Sequence, residues 1–427
     1  MSILLFSLLL IAPEILGAEM KYFSFFYIFS ALIIMLTIGR FRMHVKLSWS
    51  FWLLILLNII LLLVYLADAN SVLNITTLLL SYLALFYLVS RSIDLQGEIK
   101  FQDSLFCILS LILLAIFLLS PILTLLQWHN APEYYPWEAF YSDARLFVPH
   151  GAGHSNVMWL MAFVSAFLIR DISRGKKRSN PVKYFFVVFF SICLIATKSR
   201  LALIFIAILL FEWIAYQGLF NKKIFAVICL TLPVLYILSI LNPFFNNQVI
   251  ESVSKMQESI PGVRIQASSH LQGESSIYAG RYILNLALVD EAIEHPWFGV
   301  GHSDDLLRYG VDRNGFPAYG GNKLSSSESG LRVWTEYGTI YFLVLLMFIT
   351  IPIFRAMRGY YRDNIFVIAV CGIIFGSAIG GSVFENLYGM SGLFAIILIY
   401  FHLMKPCKMK WKTPHILGLK LPKERVL

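Results

Sequence analysis

The sequence predicts an all-α integral membrane protein with about twelve transmembrane helices. Of its 427 residues, 58% are hydrophobic and only 14% are charged, whereas a soluble domain carries about a quarter charged residues. The apolar residues come in blocks of about 15–25, the length that an α-helix needs to cross a bilayer. Together these observations indicate a polytopic membrane protein rather than a soluble enzyme.

The apolar blocks define the predicted spans and the domain organisation. The first block, "MSILLFSLLLIAPEILGA", has no basic n-region and no small-residue cleavage site, so we interpret it as a retained span and not a signal peptide. Residues 1–404 form one membrane domain, which includes a large outer loop at 244–326, and residues 405–427 form a basic tail. The predicted spans are 2–18, 22–39, 49–67, 72–90, 103–126, 152–169, 183–197, 201–217, 224–243, 327–354, 364–381 and 387–404.

Lysine and arginine set the predicted orientation. With the N-terminus inside, most of the 34 Lys and Arg residues lie on the inner side, in the tail and in loops such as 40–46, 170–183 and 355–362. Cytoplasmic loops carry such an excess, so we expect both termini in the cytoplasm and the large loop in the periplasm. The net charge of +9 needs no nucleic-acid partner, because a basic inner face lies against anionic lipid.

Polar side chains gather at the predicted outer end of the sixth span. The stretch "ARLFVPHGAGHSNVMW" (144–159) holds Arg145, His154 and Asn156. These residue types are typical of a site for a charged substrate. The alternative is an interfacial loop whose histidines are solvated.

A tight outer hairpin, "ATKSRLAL" (196–203), carries Lys198 and Arg200 at its tip. Two cations on the outer side run against the usual charge bias. An anion site would explain them, because arginine offers a fork of donors for phosphate oxygens. The alternative is that both side chains reach lipid phosphates.

The large loop ends with an amphipathic segment that begins at Gly280 and Arg281 and ends at "HPWFGVG" (295–301). The N-terminus of such a helix favours anions, which makes Arg281 a candidate ligand for phosphate. The alternative is an arginine that pairs with a nearby carboxylate.

The stretch "SSSESGLRVWTEYG" (325–338) precedes the tenth span and places Glu328, Arg332 and Glu336 on one stripe of a helix. Ser325 and Glu328 have the spacing of a capping box, and Arg332 can bridge both glutamates at i,i+4. That explanation needs no function. It leaves open why charges lie at the mouth of a span, where they are expensive unless they face water or protein.

These stretches, in this order, resemble the family of O-antigen ligases and O-antigen or exopolysaccharide polymerases of the Wzy type. "RLFVPHGAGHSN", "ATKSRLAL", "GRYILNLAL…HPWFGVG" and "SSESGLRVWTEYGTIY" are similar to four family segments, and the resemblance covers most of residues 140–400. It implies a GT-C-like membrane glycosyltransferase of the bacterial inner membrane, with its active site facing the periplasm. The implied partners are an undecaprenyl-pyrophosphate-linked oligosaccharide, the lipid bilayer and a chain-length regulator.

The resemblance also implies roles for individual residues. Arg200 and Arg281 would bind the pyrophosphate, with Arg145 and Lys198 in reserve. Glu328 is the first candidate for the catalytic base and His154 the second. The supporting residues would be Arg332, Glu336 and Asn156. We expect no metal and no cofactor, because the sequence has no Asp-x-Asp in an outer loop and Asp304–Asp305 is a weak substitute.

One departure from the family pattern favours one of its two activities. Ligases usually carry a His-Asn pair where this chain has Ser327–Glu328, and that histidine is the proposed base for the lipid A acceptor. Polymerases often show Glu-Ser here, as does this chain at Glu328–Ser329. The sequence therefore favours a polymerase over a ligase. A lipid-linked oligosaccharide transporter and a structural partner without activity are the other classes, and the absence of a visible internal repeat speaks against the transporter.

Overall fold

The computed structural model describes residues 49–130, 154–175, 181–196, 200–241, 289, 292–301, 329–380 and 389–406. This part of the chain is helical and contains no strand. Its ten longer helices are α1 Trp49–Val64, α2 Ala69–Gln96, α3 Glu98–Asn130, α4 His154–Arg174, α5 Pro181–Ala196, α6 Arg200–Tyr216, α7 Lys222–Leu241, α8 Ser329–Met357, α9 Asn364–Gly380 and α10 Gly389–Leu403.

Each of these helices coincides with one predicted span to within a few residues. The predicted spans 2–18 and 22–39 lie outside the described residues. Two helical stretches, Ser71–Gln96 and Leu331–Met357, are long and apolar enough to cross a membrane, and five shorter apolar helices accompany them. The all-α prediction therefore fits the structure, and the apolar helices fit a membrane protein. Twelve spans and cytoplasmic termini remain predictions.

Side-chain caps explain where several helices begin. Asp68 precedes α2 and its carboxylate accepts a hydrogen bond from the backbone N–H three residues later, at 3.3 Å. Asp363 does the same at the start of α9, at 3.4 Å. Asn221 caps α7 through the N–H two residues later, at 3.1 Å. Each cap satisfies a donor that has no partner inside its helix, so these helix starts are determined locally.

The core of the bundle lies around α9. This helix packs against α8, α7, α6 and α4, and every residue of α9 from Phe366 to Ile379 is buried. A Cβ added at Gly372 would lie 2.9 Å from the Cβ of Cys229. Small residues allow membrane helices to approach closely, so Gly372 lets α7 and α9 pack at short range.

Helix α6 runs antiparallel to α9. Ile208 of α6 lies beside Gly372 of α9, and Ile204 lies beside Gly376. Residue numbers therefore decrease along α6 in the direction in which they increase along α9. At the far end of α6, the Tyr216 hydroxyl donates a hydrogen bond to the carboxylate that caps α9, at 2.7 Å. Therefore α6 begins at the end of the bundle where α9 finishes.

The same relation holds for α4 and α8. Arg174, the last residue of α4, forms an ion pair of 3.0 Å with Asp363 at the start of α9, and α8 joins α9 through the short turn 358–363. Consequently α4, α6 and α8 all begin at one end of the bundle, which we call the site end. They finish at the opposite end, which we call the charged end.

A network of ion pairs holds the charged end together. The buried guanidinium of Arg170 lies 2.9 Å from Asp103 and 3.4 Å from Asp171, and Lys183 reaches Asp171 at 2.9 Å. A cavity of about 460 Å³ opens beside these groups. The segments at this end are those that the charge pattern predicts to be cytoplasmic.

Candidate functional site

At the site end, residues 295–301 dock against α8, and we call this segment the docked turn. It follows a short helical stretch at 292–294, which agrees with the predicted end of the amphipathic helix at His295. Three backbone hydrogen bonds hold it in place. They join the Val300 N–H to the Thr335 carbonyl at 3.0 Å, the Gly301 N–H to the Glu336 carbonyl at 3.0 Å, and the Thr339 N–H to the Pro296 carbonyl at 2.8 Å.

The docked turn fits into a break in α8. Gly338 has φ 81° and ψ 172°, which is not helical and interrupts α8. The interruption leaves the Thr335 and Glu336 carbonyls and the Thr339 N–H to bond with the docked turn. The sequence predicted an uninterrupted span over 327–354, and the structure differs here because of this long-range contact. A Cβ at Gly338 would lie 2.3 Å from the Trp297 carbonyl oxygen, and one at Gly299 would lie 2.3 Å from the Thr335 carbonyl oxygen. Both sides of the contact therefore require glycine.

The break explains two glycine elements of the sequence at once. "P-x-x-G-x-G" in the docked turn and "E-x-G" at residues 336–338 are the two faces of one backbone contact. The two patterns are far apart in the sequence, yet each supplies glycines with positive φ. These are Gly299 at 75°, Gly301 at 86° and Gly338 at 81°. The two patterns thus have a structural explanation that does not depend on chemistry.

Arg332 and Glu336 lie on the short stretch of α8 before the break. The Arg332 Nε atom donates a hydrogen bond to the Glu336 carboxylate at 2.8 Å, and their side chains are 18% and 0% exposed. This is the i,i+4 pair that the sequence predicted. The backbone carbonyl of the same glutamate accepts the bond from Gly301, so the ion pair and the docked turn share one residue.

Tyr65, just after α1, ties the docked turn to a second helix that packs against α8. Its hydroxyl lies 2.8 Å from the Phe298 carbonyl oxygen and 2.7 Å from the Gly299 carbonyl oxygen. A tyrosine hydroxyl carries its proton at physiological pH, so it acts as the donor to these carbonyl oxygens. A Cβ at Gly301 would lie 2.8 Å from the Ser71 hydroxyl oxygen and 2.9 Å from the Tyr65 ring, so the start of α2 also touches the turn.

The structure brings the Arg332 and Glu336 side chains together. It also places the backbone of other predicted site residues at the same end of the bundle. His154 and Asn156 occupy the first turn of α4, and Arg200 is the first residue of α6. Both helices begin at the site end. The remaining predicted site residues, Arg145, Lys198, Arg281 and Glu328, lie outside the described residues, as do Ser325 and the predicted capping box.

Metal independence stays a prediction. Within the described ranges no group of three His, Cys, Asp or Glu residues could hold a metal ion. The two aspartates that the sequence offered as a weak alternative, Asp304 and Asp305, lie outside those ranges.

Sequence reasoning missed Tyr65 and the cap beside it. The only local signal is a tyrosine near the end of the predicted span 49–67, followed three residues later by Asp68. The partners of the Tyr65 hydroxyl lie 233 and 234 residues further along the chain. A contact of that separation leaves no pattern in a single sequence.

Comparison with protein families points to the same class as the motifs. Residues 185–346 match the family model of the O-antigen ligases. The match supports the O-antigen ligase and polymerase family, and it fits a role as a polysaccharide ligase or polymerase. The matched O-antigen ligase segment runs from α5 through the docked turn to the middle of α8 and includes Arg200, Arg281 and Glu328. Comparison with curated proteins gives no match.

Proposed function

We propose that this protein is a polysaccharide polymerase of the bacterial inner membrane. It transfers a glycan from an undecaprenyl-pyrophosphate donor to the non-reducing end of a second lipid-linked repeat unit, at the periplasmic face. The observation that carries the proposal is the O-antigen ligase match over 185–346, which spans the hairpin arginine, the docked turn and the broken start of α8. Helices α6 and α8 begin at the same end of an apolar helix bundle, where the docked turn also lies and where we propose that the lipid-linked substrate binds.

The reaction that we propose needs no redox partner. The bond between the anomeric carbon and the pyrophosphate oxygen breaks, and the acceptor hydroxyl oxygen forms a new bond to that carbon. Arg200 and Arg281 stabilise the departing pyrophosphate as its negative charge grows. Glu328 takes the hydroxyl proton as general base, with His154 as the second candidate. Inversion at the anomeric carbon is what the family resemblance implies.

Arg332 and Glu336 support the site rather than react. Their pair fixes the short stretch of α8 that directly follows Glu328 in the chain. Because the Glu336 side chain is fully buried, the pair orients this stretch from the protein side. Asn156, Arg145 and Lys198 remain proposed supporting and reserve residues of the same end.

A ligase is the second candidate, because the matching family model is that of the O-antigen ligases. The two activities differ in the acceptor: a ligase transfers the glycan to lipid A–core, and a polymerase transfers it to another lipid-linked repeat. Ser327–Glu328 in place of a His-Asn pair favours the polymerase.

The experiment that tests the proposal uses the purified full-length protein in lipid vesicles with a synthetic undecaprenyl-pyrophosphate repeat unit. We expect a ladder of longer glycans on a gel without any other protein. Parallel vesicles also contain lipid A–core. Transfer to lipid A–core without a ladder would identify a ligase, and unchanged chain length in both samples would contradict either transferase and favour a transporter.

A further inference from the structure

The docked turn is held by backbone contacts rather than by burial of its own side chains. Trp297 is 66% exposed and Phe298 is 37% exposed, and Ile293 just before the turn is 62% exposed. Burial of these side chains within the protein therefore contributes little to the position of this segment. Its place on α8 depends on three backbone hydrogen bonds and on the Tyr65 hydroxyl.

We infer that Tyr65 is a positioning residue of the polymerisation site. The inference rests on the proposed function and adds to it a residue from the N-terminal part of the chain, outside the matched segment 185–346. The single Tyr65 O–H proton is shared between the Phe298 and Gly299 carbonyl oxygens. The next two residues donate to the Thr335 and Glu336 carbonyls.

Each link of this connection is a hydrogen bond of 2.7–3.0 Å. The connection runs from the turn between α1 and α2, through the docked turn, to the Arg332–Glu336 pair on α8. It therefore sets the direction of the α8 stretch that carries Arg332 and that Glu328 precedes. Since misplacement of reacting groups by about 1 Å costs up to 10²-fold in rate, a loosened turn lowers turnover without removing any reacting group.

The helix caps support a fixed position for Tyr65 itself. Tyr65 is the first residue after α1, and its N–H donates a hydrogen bond to the Leu61 carbonyl at 2.9 Å. The Asp68 N–H donates to the Tyr65 carbonyl at 2.9 Å, and Asp68 then caps α2. The hydroxyl is thus presented from a short turn whose two ends are both bound to helices.

The test is the substitution Tyr65→Phe in the full-length protein, with Tyr82→Phe as the matched control. Tyr82 lies on α2, is fully buried and packs against Phe51 of α1. Its hydroxyl has no hydrogen-bond partner among the described residues. In the vesicle assay we expect Tyr65→Phe to lower kcat about five- to tenfold, because the loosened turn misplaces the α8 stretch that Glu328 precedes. We expect KM for the lipid-linked repeat to change less than twofold and the control to keep the wild-type kcat.

Hydrogen exchange separates this inference from the proposed function. Amide exchange of Val300 and Gly301, followed by mass spectrometry, should be at least threefold faster in Tyr65→Phe than in the wild type and unchanged in Tyr82→Phe. If Tyr65→Phe shows faster exchange but the wild-type kcat, the positioning role is wrong and the Tyr65 hydrogen bond only stabilises the turn. Unchanged exchange would overturn the connection itself. A wild-type protein without polymerase activity would refute the proposed function, and the exchange result would stand independently.

Discussion

At the scale of single residues, the Arg332–Glu336 pair shows how the sequence marks the site. A carboxylate that is 0% exposed needs its cation, because removing one partner of a buried pair leaves an uncompensated charge. The i,i+4 spacing made this pair predictable. The spacing did not predict that the Glu336 carbonyl also accepts a hydrogen bond from the Gly301 N–H of the docked turn. Because of this bond, the buried pair also helps to position the turn.

The role of Glu328 is tested by Glu328→Gln. A glutamine still completes a capping box, whereas an amide does not accept the hydroxyl proton. We expect the polymerisation rate to fall about 10²–10⁴-fold, as for loss of a general base, with little change in the melting temperature. Rate and stability are measured on the same purified protein.

Its control is Ser325→Ala, which removes the predicted N-cap. We expect it to lower stability by about 1 kcal/mol and to leave the rate nearly unchanged. A wild-type rate in Glu328→Gln would show that the charged stripe is structural and would make His154 the next residue to substitute.

At the scale of elements, the break in α8 is the feature on which the site depends. The helix bounds followed from apolar runs and from local caps such as Asp68, Asn221 and Asp363, so they were largely predictable. The break was not, because a single glycine inside an apolar helical pattern is usually tolerated. It becomes a break only where Trp297, 41 positions earlier in the chain, brings its carbonyl to Gly338.

Gly338→Ala tests the break, with Gly97→Ala as the matched control. Both glycines have φ near 80°, so alanine is strained at each, and Gly338 adds a ψ of 172°, a combination that essentially only glycine adopts. A Cβ meets nothing within 4 Å at Gly97 but lies 2.3 Å from the Trp297 carbonyl oxygen at Gly338. We expect both variants to melt at lower temperature.

The two glycine variants should differ in activity. Gly338→Ala displaces the docked turn, and we expect a loss of more than tenfold in polymerisation rate per folded molecule. Gly97→Ala keeps the wild-type rate per folded molecule. Equal rates in the two variants would mean that the docked turn does not contribute to the site.

At the scale of the whole molecule, the bundle separates two kinds of charge. The charged end joins α3, α4 and α9 through Arg170, Asp103 and Asp363, and Arg170 lies 2.9 Å from Asp103 and 4.0 Å from Asp363. The site end collects the starts of α4, α6 and α8, where the sequence placed its phosphate-binding candidates. The helix α2, with its 28 residues and a length of about 42 Å, runs from the docked turn at one end to Glu98 and the charged cavity at the other.

The separation of the two ends was only partly predictable. Alternation of apolar segments and loop charges placed Arg200 and His154 on one side, and the antiparallel packing of α6 on α9 agrees with that grouping. The pairings at the charged end, such as Arg174 with Asp363, join segments that no periodicity connects. They became visible only in three dimensions.

The most direct test of the central claim is the polymerisation rate of Arg200→Ala and Arg200→Lys, measured with the purified protein and the lipid-linked repeat in vesicles. Arg358→Ala, at an exposed arginine of the charged end, is the matched control. If the hairpin arginine holds the pyrophosphate, Arg200→Ala gives no ladder, and Arg200→Lys restores little because a point charge does not replace a bidentate fork. In the same assay Arg358→Ala gives the wild-type ladder. A full ladder from folded Arg200→Ala would contradict the account.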